Sequence, residues 1–86
     1  WPSNPTTMFS TKSLIHLCAT AEERQKAHAI ERDVRFSHPK SREHLITLVA
    51  RTAEQKGLTE PQVIQPNGDV ALLSGTRTII TWKATA

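Results

Sequence analysis

The residues best suited to chemistry cluster between Arg32 and His44. Arg32, Arg35, His38, Lys40, Arg42 and His44 crowd this stretch against only Asp33 and Glu43, and Ser37 and Ser41 add hydroxyl donors. Side chains of this kind suit an anion. Phosphate oxygens accept hydrogen bonds from guanidinium, ammonium and hydroxyl groups without demanding strict spacing between them. If a helix starts near Ser41, its free N–H groups and the positive end of its dipole add to that field. The set expected to meet a nucleic-acid backbone is therefore Arg32, Arg35, His38, Lys40, Ser41 and Arg42. The competing interpretation is an ordinary solvated corner between two helices. Reading of bases would need more, because Phe36 is the one aromatic residue interleaved with the cations.

Other constellations carry less. Histidines 16, 28, 38 and 44 offer metal ligands, but the one close pairing is His16 with Cys18, and two ligands do not make a site. The same two residues, two apart on a strand, would not present nucleophile and base to each other. Glu22 and Glu23 point in different directions on a helix, so paired-carboxylate acid–base work is not expected. Gly57, Gly68 and Gly75 all fall at chain reversals, and no glycine-rich phosphate loop exists. The expectation is a non-enzymatic chain with no cofactor and no metal.

Composition sets outer bounds. The chain has 86 residues, 11 Lys and Arg against 8 Asp and Glu, and a formal net charge of +3, a mild bias that permits an anionic partner without requiring one. A single cysteine excludes an internal disulfide framework and points to a reducing, cytoplasmic setting. No apolar run approaches a membrane span. Residues 1–12 hold two prolines and several small polar residues and read as a mobile leader, with Met8 a candidate natural start. Residues 13–86 then form a single domain.

The elements that must position these residues follow from periodicity. Thr20 with Glu23 forms a capping box, so a helix is expected from Ala21 to about Phe36 with Ala27, Ile30 and Val34 on its inner stripe. A second helix, from Pro39 or Arg42 to Lys56, places Leu45, Leu48, Val49 and Ala53 together and stops at Gly57. Thr59 to Gln62 could add a short helical turn. From Val63 to Lys83, two turn signals divide three runs rich in β-branched and aromatic residues, the pattern of an antiparallel meander. Three-residue turns at Pro66–Gly68 and Ser74–Thr76 would gather Ile64, Val70, Leu72, Ile80 and Trp82 on one face beneath the second helix. The short run around Leu14 fits either strand or helix.

The expected fold is thus α+β, with two helices packed on a C-terminal three-stranded antiparallel meander. The alternative is a winged helix, in which Thr59–Gln65 would be a third helix. The meander suggests a second functional reading, a protein-interaction module or homodimer using a sheet edge or the second sheet face. Leu73, Arg77, Ile79 and Lys83 would be its contact residues.

Overall fold

A computed structural model of the chain describes residues 10–16 and 20–85. Its elements run β1 (Ser10–Ile15), α1 (Ala21–Phe36), α2 (Arg42–Gln55), β2 (Pro61–Ile64), β3 (Val70–Ser74) and β4 (Arg77–Thr85), with one 3₁₀ turn over Pro66–Gly68. The strands form one antiparallel sheet in the order β1-β4-β3-β2, and both helices pack on one of its faces. The fold is α+β, with four strands where the C-terminal pattern alone gave three. The run around Leu14 is the fourth strand, and it lies beside β4 at the sheet margin. It starts at Ser10, inside the expected leader, while residues 1–9 fall outside the described ones.

Both helices are placed by their caps and apolar stripes. Thr20 Oγ1 accepts from the Glu23 N–H at 3.0 Å, and Ser41 Oγ accepts from the His44 N–H at 3.1 Å, each satisfying a donor the helix itself leaves open. Helix α1 buries Ala27, Ile30 and Val34, and α2 buries Leu45, Val49, Thr52 and Ala53. Helix α1 lies over β1 and β4, and α2 over β2 and β3, so the cover is shared between them and not left to α2. Beneath them Val70, Leu72, Ile79, Ile80 and Trp82 complete the core, with Leu58 closing it behind α2.

The strand register departs from expectation at both turns, each time by one residue. Asn67 (φ 52) and Gly68 (φ 85) are left-handed in succession. This lengthens the first turn, and Ile64 pairs with Ala71 in place of Val70. Side chains alternate across a strand, so the slip brings Val63 against the core and leaves Ile64 43% exposed. The second turn is a two-residue hairpin in which Ser74 pairs with Arg77 and Gly75 takes φ 66, the position where a tight turn wants glycine. Such a turn would scatter the apolar residues over both faces. A β-bulge between Leu72 and Leu73 prevents this by resetting the ladder, so that Leu72 meets Ile80 and Val70 meets Trp82. Ile79 occupies the bulge and turns inward beside Ile80.

Two further expectations are corrected. Pro61 and Gln62 are strand residues of β2 and not part of a helical turn. With β2 there, the third helix that a winged helix requires is missing from Thr59–Gln65.

Candidate functional site

Helix α1 carries four carboxylates and four Lys or Arg, and its surroundings sort them. Its carboxylates each have a partner. Glu22 pairs with Lys26 at 3.7 Å, Glu23 with Arg77 of β4 at 3.4 Å, and Asp33 with Lys56 beyond α2 at 3.1 Å. Glu31 accepts from Ser13 Oγ of β1 at 2.9 Å and lies 3.9 Å from Arg35. Glu23, Glu31 and Asp33 flank the buried stripe, where neighbouring elements can reach them, whereas Glu22 faces solvent and pairs within the helix. Arg24, His28, Arg32 and Arg35 fall instead within an arc of about 80° on the exposed side, over a length of about 16 Å. All four are exposed, and Arg24 and Arg32 have no ion-pair partner among the described residues. His28, Arg32 and Arg35 line one shallow trough with Gln25 and Glu31.

The expected corner between the helices does not converge in the same way. Arg32 and Arg35 belong to the α1 stripe. His38 is exposed, with φ 49 just before Pro39, and the Lys40 N–H donates to His44 Nδ1 at 3.1 Å. Ser41 Oγ is engaged as the α2 cap, and Glu43 puts a carboxylate in the first turn, where an incoming anion would meet it. Arg42 leans the other way, its Nη2 reaching the Pro66–Gly68 turn, where a Cβ on Gly68 would lie 3.8 Å from it. The α2 N-terminus is therefore filled by local partners, and Arg24 and His28 take its place in the basic set. The spacing of Arg24, His28 and Arg32 at successive fourth positions was the sequence signal for them.

Charge divides the molecule accordingly. Once the four ion pairs are set aside, Lys12, Arg24, Arg32 and Lys83 remain on α1, β1 and β4, with no unpaired carboxylate among the described residues there. The remaining acids, Glu43, Glu54, Glu60 and Asp69, lie on α2 and around β2 and β3 beside Lys40, Arg42 and Arg51. The excess positive charge thus falls on the half of the molecule built from α1, β1 and β4, with Arg24 and Arg32 on the helix and Lys12 and Lys83 on the sheet face away from it. Lys12 and Lys83 stand directly opposite each other on neighbouring strands.

The residues expected to form a partner surface are dispersed. Leu73 is half-buried, Arg77 is tied to Glu23, Ile79 lies fully in the core, and Lys83 is exposed. Ile79 cannot serve as a contact residue because the bulge turns it inward. On the sheet face away from the helices, Leu14, Thr81, Ala71 and Ile64 align in one row across the four strands, with Leu14 59% exposed. His16 Nε2 lies 2.8 Å from Thr81 Oγ1, and Cys18 is outside the described residues. Among the described residues no group of three or more His, Cys, Asp or Glu is placed to hold a metal ion. No helix there is long and apolar enough to cross a membrane. The chain matches no protein-family model, no curated protein and no solved structure.

Proposed function

We propose that this chain is a small non-enzymatic accessory or regulatory module of the cytoplasm that contacts nucleic acid through the basic face of α1. Arg24, His28, Arg32 and Arg35 meet phosphates there, and His38 extends the contact toward the interhelical corner. The single observation carrying this reading is the sorting of charge on α1. Glu23, Glu31 and Asp33 are drawn into contacts with other elements, while Arg24 and Arg32 face solvent without an ion-pair partner among the described residues and Arg35 stays exposed beside Glu31. Exposed arginines in a row, two of them without an ion-pair partner among the described residues, favour a polyanion, and phosphate contacts of this kind are independent of sequence.

A labelled nucleic acid titrated at about 50 and 200 mM salt tests the reading. Binding is expected to weaken steeply with salt, and Arg24→Ala with Arg32→Ala should lower the slope by about two. Lys40→Ala with Arg42→Ala should change it less. Absence of binding at the lower salt concentration would reject the proposal.

A second reading, a protein-interaction surface, rests on the exposed Leu14 and Ile64 of the open sheet face. The sheet margins work against simple strand addition. Strand β2 is four residues long and begins with Pro61, and β1 brings Lys12 against Lys83 where a second copy would add further like charge.

A further inference from the structure

Phe36 ends α1 in an unusual place. Helical geometry sets it about 150° around the axis from the stripe of Ala27, Ile30 and Val34, so it cannot reach the core. Its residue is 66% exposed, more than Leu14 or Ile64. It follows Arg32 by one helical turn, and the Arg35 guanidinium carbon sits 5.7 Å from its ring centroid. The residue also lines a groove between α1 and α2 with Leu48, Arg51 and Asp33, whose carboxylate is held by Lys56. An aromatic ring is thus held at the end of a row of cations, with a further arginine across the groove.

Accepting the basic face of α1 as a nucleic-acid contact, we infer that its partner is single-stranded, with phosphates along Arg24, His28, Arg32 and Arg35 and one unpaired base stacked on Phe36. A duplex keeps its bases stacked inside and offers the ring nothing, whereas a single strand presents a free π-face at every nucleotide. Stacking tolerates any base, and the stripe is built from cations that read phosphate, so little sequence preference is expected. The Arg35 guanidinium positions the ring and adds its own planar face to the platform.

The test is fluorescence anisotropy on the full chain with a labelled oligothymidine of about 12 nucleotides and a mixed-sequence duplex of equal length. The single strand should bind more tightly. Phe36→Ala should weaken it by about 5- to 100-fold while leaving duplex binding and the melting temperature unchanged. Phe36→Trp should restore the lost affinity. Equal loss for both probes, no loss for either, or preference for the duplex would overturn the stacking inference. Salt-sensitive binding that still depends on Arg24 and Arg32 would in that case leave the basic-face reading standing. No binding of either probe at about 50 mM salt would remove both.

Discussion

Helices α1 and α2 begin alike and end up opposite in character. Each is capped by a hydroxyl, each lays a narrow apolar stripe on the same sheet, and each carries as many carboxylates as Lys and Arg. Yet α1 turns a row of cations to solvent. On α2, Glu43, Arg51 and Glu54 share the outward side, and Arg42 falls near the buried stripe, toward the Pro66–Gly68 turn. The difference comes from the neighbours. Arg77, Lys56 and Ser13 lie where the acids of α1 can reach them, while Glu43 and Glu54 have no ion-pair partner among the described residues. A helix of zero formal charge can therefore display a cationic or a mixed surface, and the elements packed beside it help decide which.

The two helices differ outwardly but stand on one core, and the largest expected effect tests that. Ile79→Lys places a charge among residues that touch both helices, so several kcal/mol should be lost and α1 and α2 should melt together. Circular dichroism during denaturant unfolding would reveal it, and a folded, stable variant would contradict the bulge. Next come the caps. Thr20→Ala and Ser41→Ala should each cost about 1 kcal/mol by the same measurement, since each removes one bond to a helix donor. A markedly larger loss at Ser41 would mean that the His44 ring, which accepts from Lys40, depends on that cap as well. The smallest effect is expected at the sheet margin. Lys12→Glu turns a like-charge pair with Lys83 into an opposite one and should stabilise by roughly 0.2–1 kcal/mol, a gain that salt erodes.

Much of this arrangement was legible in the chain. The first helix's start followed from Thr20 with Glu23 and the second's end from Gly57, because caps and stops are local chemistry, while the second's start stood open between Pro39 and Arg42 until Ser41 took the cap. The inward set of Val70, Leu72, Ile80 and Trp82 followed from alternation. Turn length did not, because Pro66-Asn67-Gly68 fits either one or two left-handed residues and local preference does not choose between them. In the fold both Asn67 and Gly68 are left-handed, so Val63 and not Ile64 packs against the core. Strand β1 was ambiguous because six residues of mixed character fix no period, and only pairing with β4 makes them a strand. The basic face was half legible. Arg32 and Arg35 stood out by density, but Arg24 and His28 lie among acids in the sequence, and only contacts across the fold remove those acids from view.

The bulge at Ile79 has a consequence for how so short a chain stays folded. A regular strand of this sheet would offer its helices one side chain in two, and small domains have little apolar surface to spare. By spending an extra residue within β4, the chain seats neighbouring isoleucines side by side under the same roof. The irregularity thickens the interior without adding a strand. Shifting that residue into the Gly75–Thr76 hairpin would give a tidier ladder and a thinner protein.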